Sequence, residues 1–105
     1  MNIKKIKKRF IPMSETMLYI LFSLREEQHG YGVMQHVKKL TGGRIVLGAG
    51  TIYQSLGKLA TDGLISPTRE IERKKLYLIT KIGEQILIEE AKRIQEIYLN
   101  LEVLL

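Results

Sequence analysis

Apolar residues recur at spacings of three and four through most of this chain, the periodicity of helices that bury one face. Ile3, Ile6 and Phe10 open the pattern with lysines between them, and Pro12 stops it, so a short amphipathic basic helix or arm is predicted. Ser14 follows as an N-cap, with Glu15 and Thr16 in the first turn. Met17, Ile20, Leu21 and Leu24 form the inward stripe of that helix, widened by Leu18 and Phe22. It is expected to end by Gln28-His29-Gly30, because the glycines of His29-Gly30-Tyr31-Gly32 supply positive φ for a turn without strain. Tyr31, Val33, Met34, Val37 and Leu40 resume the helical spacing as far as Thr41-Gly42-Gly43, where glycine accepts the left-handed conformation past a helix end.

Arg44-Ile45-Val46-Leu47 is short and β-prone. Gly48-Ala49-Gly50 then leads into a helix from about Thr51 to Asp62, which Gly63 ends. Leu64-Ile65 opens a strand that Pro67 restricts to an edge or an early stop. Arg69 to Lys74 reads as a charged hairpin tip, Lys75 to Ile79 as the return strand, and Thr80 as the cap of a long last helix. The result is mainly α with a small β-hairpin, in the order of a winged helix-turn-helix with a C-terminal dimerisation helix. The expected divisions are a basic N-terminal arm at 1–12, a winged helix-turn-helix at 13–80 and a dimerisation helix at 81–105. No repeat, linker or internal domain boundary interrupts them.

Composition narrows the function. A chain of 105 residues buries only about two-thirds of its unfolded surface, a thin core that a second subunit would help. Cysteine is absent, which excludes disulfides, thiolate metal sites and a cysteine nucleophile and fits a reducing, cytoplasmic setting. The apolar stretch Met17 to Leu24 is broken by Tyr19 and Ser23 and closed by Arg25-Glu26-Glu27, far short of the roughly 18 residues of a membrane span. Nor does any secretory h-region precede Met13. His29 and His36 stand apart, no acidic cluster has metal-ligand spacing, and Ser14, Ser23, Ser55 and Ser66 lack a nucleophile-elbow setting. No catalytic residue, cofactor or metal is therefore expected.

The net charge of +6 is segregated. Lys4, Lys5, Lys7, Lys8 and Arg9 face no acid within residues 1–12, and residues 36–81 hold nine Lys/Arg against Asp62, Glu70 and Glu72. An acid-leaning helix lies between these segments and an acidic tail follows, so a polyanion-facing surface is built from the tip and the middle of the chain. Within the helix beginning near Thr51, Ile52, Leu56 and Leu59 make the buried face. Gln54, Gly57, Lys58 and Thr61 then lie opposite, flanked by Thr51 and Tyr53, with no acid before Asp62. Gln can bond adenine with two prongs, Lys and Thr reach guanine or phosphate, and the start at Gly50-Thr51 offers free N–H groups to a phosphate. Arg69, Arg73, Lys74 and Lys75 at the hairpin suit a minor groove or a phosphate backbone, though a charged edge hairpin that resists aggregation has the same composition.

Leu87, Ala91, Ile94, Tyr98, Leu101 and Leu105 repeat at the alternating intervals of a coiled-coil seam. Ile97 and Leu104 broaden it and Ile86 and Ile88 add to its start, while Glu89, Glu90, Lys92, Arg93, Glu96 and Glu102 are placed on the other side. So long a stripe calls for a partner helix, and a homodimer would present two reading helices to major grooves ~34 Å apart on a near-palindromic duplex.

The ordered set Pro12-Met13-Ser14-Glu15-Thr16-Met17, His29-Gly30-Tyr31-Gly32, Gly50-Thr51-Ile52-Tyr53 with Leu56 and Leu59, Asp62-Gly63-Leu64-Ile65, and Lys75-Leu76-Tyr77-Leu78-Ile79-Thr80 with Gly83 resembles the PadR family of bacterial transcriptional regulators. The resemblance implies a winged-helix repressor of a nearby gene or its own operon, dimerised through the last helix and often released by a small hydrophobic or phenolic compound. Carried over by position, Thr51, Tyr53, Gln54 and Lys58 match the DNA-facing helix, and Arg73, Lys74 and Lys75 the wing. The chain departs from some members in having no Trp to hold a flat aromatic ligand, and in a wing tip without glycine. The competing reading is a nucleic-acid-binding protein without sequence preference, of nucleoid or RNA type. A membrane-surface protein anchored by Lys4 to Phe10 is disfavoured, since about three turns of helix hold poorly alone.

Overall fold

The computed structural model describes residues 2–105. Helices α1 (Ile3–Phe10), α2 (Glu15–Ser23), α3 (Gly30–Leu40) and α4 (Ala49–Thr61) are followed by strands β1 (Ile65–Ile71) and β2 (Lys74–Ile79). Helix α5 (Lys81–Leu101) and a 3-10 turn at Glu102–Leu104 complete the chain. Ile20, Leu21 and Leu24 of the α2 region, Val33 and Val37 of α3, and Ile52, Leu56 and Leu59 of α4 converge on Leu64, Ile65, Ile79 and Ile86 in one buried cluster. The inner stripes of α2 and α4 are those their spacing predicts, with Met17 only partly buried. In α3, Val33 and Val37 are buried and Met34 partly so, but Tyr31 and Leu40, at the two ends of the expected stripe, are exposed.

Residues 3–10 form a docked helix and not a free arm. The Asn2 side chain caps α1 by accepting from the Lys5 N–H at 3.0 Å, and Ile6 and Phe10 enter the core. Lys7 pairs with Glu89 of α5 at 2.8 Å, and Arg9 with Asp62 at the end of α4 at 2.9 Å.

The segment His29-Gly30-Tyr31-Gly32 is the start of α3, not a turn. His29 is the N-cap, its Nδ1 accepting from the Gly32 N–H at 3.1 Å, and neither glycine has a positive φ. The glycines leave room for neighbours instead: a Cβ on Gly30 would stand 3.1 Å from the Tyr53 ring, and one on Gly32 would displace the end of the Gln28 side chain. Helix α2 ends at Ser23, short of Gln28, because the backbone beyond it is drawn to the hairpin. The Ile79 N–H donates to the Leu24 carbonyl at 2.7 Å, and Gln28 and Tyr77 exchange two backbone hydrogen bonds. At the other end of α3, Gly42 and Gly43 take the left-handed conformation expected of them. Arg44 to Leu47 forms no strand, since the Ile45 N–H is taken by Thr41 Oγ1 at 3.0 Å and Leu47 is drawn into the core.

Strands β1 and β2 pair antiparallel from Ile65 with Ile79 to Ile71 with Lys74, with a slip of register between Pro67 and Glu70. Proline lacks the N–H that a regular ladder needs, and the strand continues past it as one of only two in the sheet. The tip is narrower than the expected span of Arg69 to Lys74. It is Glu72 and Arg73 alone, both with positive φ, the signature of a two-residue type I′ turn here made without glycine. Thr80 caps α5, accepting from the Gly83 N–H at 3.1 Å and donating to the Gly63 carbonyl at 2.6 Å. That hydroxyl ties the start of α5 to the turn between α4 and β1.

Candidate nucleic-acid interface

Helix α4 begins two residues earlier than the sequence suggested, at Ala49, and its N-cap Gly48 offers no side-chain acceptor. The first intrahelical bond runs from the Ile52 N–H to the Gly48 carbonyl, so the N–H groups of Ala49, Gly50 and Thr51 point out of the helix end. With Ile52, Leu56 and Leu59 buried, Thr51, Tyr53, Gln54, Gly57, Lys58 and Thr61 are all exposed. Tyr53 stands 62% exposed, its ring passing over Gly30 at the start of α3. Lys58 extends across the Phe10 ring, its ammonium 5.5 Å from the centroid.

Asp62 is the acid that the sequence places nearest this face, and the fold withdraws it. Its side chain is 2% exposed and held by Arg9. The outer face of α4 therefore presents amide, hydroxyl and ammonium groups and no exposed carboxylate.

The hairpin carries Arg73, Lys74 and Lys75 exposed at and beside its tip, accompanied by Glu70 and Glu72. Arg69 does not join them. It lies within β1 and pairs with Glu27, ahead of α3, at 2.8 Å. Hydrogen bonds from Thr68 and then Arg69 hold the Glu27 carboxyl below the ordinary carboxylate range. Arg69 therefore ties the first wing strand to the segment ahead of α3, while Arg73, Lys74 and Lys75 remain exposed at the wing end.

On α5 the predicted seam lies largely uncovered by the rest of the chain. Leu87 is partly buried, Ala91 is exposed, Tyr98 and Leu101 are each 53% exposed, and Ile94 is more than a third exposed. Leu105 lies beyond the helix and its 3-10 turn, 92% exposed. Leu87, Ala91 and Ile94 face Leu18, Tyr19 and Phe22 of α2 across an open groove of about 640 Å³.

Two residues of α5 depart from the sequence assignment. Ile86, placed on the seam's edge, is a core residue, and Glu90, placed on the polar side, is fully buried. Glu90 accepts a hydrogen bond from the Met13 N–H and two from Arg93, at 2.6 and 3.0 Å. The available signal was position: Glu90 lies four residues after Ile86 and so repeats its face. Among the described residues, no group of three or more His, Cys, Asp or Glu could hold a metal ion, and no helix is long and apolar enough to cross a membrane.

This geometry has relatives. The model of the PadR-like family of transcriptional regulators matches residues 17–89, from α2 into α5. The transcriptional regulator YqjI of Escherichia coli K12 is 33% identical over 92 residues, which cover 87% of this chain and 44% of that protein. The chain thus spans less than half the length of that relative. Among solved structures, Bacillus subtilis PadR in complex with operator DNA is 31% identical, with a TM-score of 0.62 over 70% of this chain and 44% of that one. A PadR-like transcriptional regulator from Bacillus cereus ATCC 14579 shares the fold at a TM-score of 0.71 and 24% identity, covering 84% of this chain and 88% of that one.

Proposed function

The chain belongs to the PadR-like family of transcriptional regulators, which are not enzymes, and from that premise we propose that it is a dimeric, sequence-specific DNA-binding repressor of a nearby or its own operon. The observation that carries this reading is the acid-free outer face of α4, accompanied by the exposed bases at the wing end. Gln54 reads adenine in the major groove, Lys58 reaches guanine or phosphate, and Thr51 with the open N–H groups beside it holds a phosphate. Tyr53 turns its hydroxyl to the backbone, and Arg73, Lys74 and Lys75 lie along the neighbouring groove. Residues 13–80 act as the reading domain and residues 81–105 as the dimerisation helix.

Mobility shifts on the upstream region of the protein's own gene, at two salt concentrations, test the reading. Operator binding that falls steeply with salt supports it. No shift at low salt overturns it, and equal affinity for random duplex replaces it with the nonspecific alternative. Gln54→Ala and Lys58→Ala are each expected to weaken operator binding by about tenfold or more at unchanged melting temperature, since a good base contact discriminates by roughly 1–3 kcal/mol. Unchanged binding by both variants would refute the assignment of the face.

The dimer is supported by the uncovered stripe of Leu87, Ala91, Ile94, Tyr98, Leu101 and Leu105, which a second protomer's α5 would cover. Leu101→Asp is expected to sediment as a monomer, and a persisting dimer would contradict the seam. The groove between α2 and α5 is apolar enough for a small hydrophobic effector. Such a ligand releases DNA only by binding one spacing of the two reading heads better than the other.

A further inference from the structure

Helix α1 lies outside the matched family segment, and its bases divide into two groups. Lys7 and Arg9 are turned inward to Glu89 and Asp62, one on each flank. Lys4, Lys5 and Lys8 are exposed on the side away from Ile6 and Phe10, and none forms an ion pair among the described residues. The two flanking bridges, the Asn2 cap and the buried anchors hold the three ammonium groups on one rigid helix.

That helix abuts the reading helix. Arg9 meets Asp62 at the end of α4, and the Phe10 ring lies under the Lys58 ammonium. The exposed lysines of α1 and Lys58 of α4 therefore stand on adjoining elements, and the carboxylates nearest to that junction, Asp62 and Glu89, are each paired with a base of α1.

We propose that the outer face of α1 is a third DNA-contacting element, in which Lys4, Lys5 and Lys8 hold phosphates flanking the groove that α4 enters. The proposal rests on the DNA-binding reading above. Three lysines on flexible stems suit a phosphate chain, which needs point charges and no fixed bonding geometry. A lipid surface fits less well, because the apolar residues an interfacial helix must insert, Ile6 and Phe10, are committed to the core. Protein interfaces fit less well too, being depleted in lysine and centred on apolar or aromatic anchors that this face lacks.

The test compares the full chain with the triple variant Lys4→Ala, Lys5→Ala, Lys8→Ala, with melting curves confirming that both are folded. Each phosphate contact adds about 0.9 to the slope of log affinity against log salt. The variant is expected to show a slope shallower by about 2–3 and to lose affinity for operator and random duplex by the same factor, leaving their ratio unchanged. An unchanged slope in the variant of a protein that does bind DNA overturns the proposal alone, and a wild-type chain that shifts no duplex overturns the DNA-binding reading with it. Sedimentation with phosphatidylserine-containing vesicles that is lost in the variant, with the DNA slope unmoved, reassigns α1 to a membrane surface. Should the triple variant melt early, Lys5→Ala alone is expected to lower the slope by about one, and no change overturns the proposal.

Discussion

Glu90→Ala is expected to destabilise the fold by about 2–4 kcal/mol, a fall in Tm on the order of 10 °C, measured by thermal and urea unfolding. The carboxylate is fully buried where α5 crosses the segment between α1 and α2, and it satisfies the Met13 N–H while bonding Arg93 twice. Alanine leaves that N–H without its acceptor and opens a void the size of a carboxyl-bearing side chain. Arg93 is one-third exposed and can turn to water, so the main loss is at Met13. Glu90→Gln keeps an acceptor for the N–H and should cost about 1 kcal/mol. The same group sets an acid limit. The Arg93 hydrogen bond holds the Glu90 carboxyl below the ordinary range, helped by the Met13 N–H and opposed by burial. Its contribution is complete above the unfolded value of about 4.3 and disappears as pH falls through the lower folded value, so the wild type should lose stability below about pH 5. Glu90→Gln should lack that part of the acid dependence. Equal melting of wild type and Glu90→Ala at pH 7 would show that the clasp contributes nothing.

Gly83→Ala should be as damaging, by about 3 kcal/mol, although alanine is the better helix former. A Cβ at this position would stand 2.1 Å from the Leu64 carbonyl oxygen and 2.7 Å from Ile79 Cγ1. The carbonyl cannot retreat without cost, because it accepts from the Thr80 N–H at 3.0 Å and from the Thr80 hydroxyl at 3.1 Å. The first turn of α5 must then lift away from the start of β1, and the cap of the helix goes with it. Circular dichroism melts read the effect directly. A Gly83→Ala protein melting within about 2 °C of wild type would show that the backbone there yields.

Local chemistry was legible in the sequence where both partners lie close along the chain. Ser14 and Thr80 cap helices because their hydroxyls meet N–H groups three residues on, and Gly42 and Gly43 take the conformation that glycine alone adopts freely. The face of α4 was legible because its spacing decides which side the core takes. What escaped was set by distant partners. Gly30 is small because Tyr53 crosses it, and Glu90 is inside because the Met13 N–H, 77 positions away, needs an acceptor. Residue type argued against both outcomes: two glycines so close suggest a turn, and glutamate suggests solvent. The wing tip escaped for a third reason, since Glu72 and Arg73 occupy positive φ that ordinarily selects glycine or asparagine.

The bridge between Arg9 and Asp62 bears on how small a working fragment can be. A polypeptide trimmed to residues 17–89, the stretch shared with the family, would keep every side chain assigned here to base reading. It would also shed the guanidinium that masks Asp62, leaving an anion beside the negative end of the α4 dipole and uncovering Lys58's aromatic neighbour's former seat. On the proposed reading such a fragment would meet a duplex with a repelling heel, so the minimal reader would start ahead of the helix that reads.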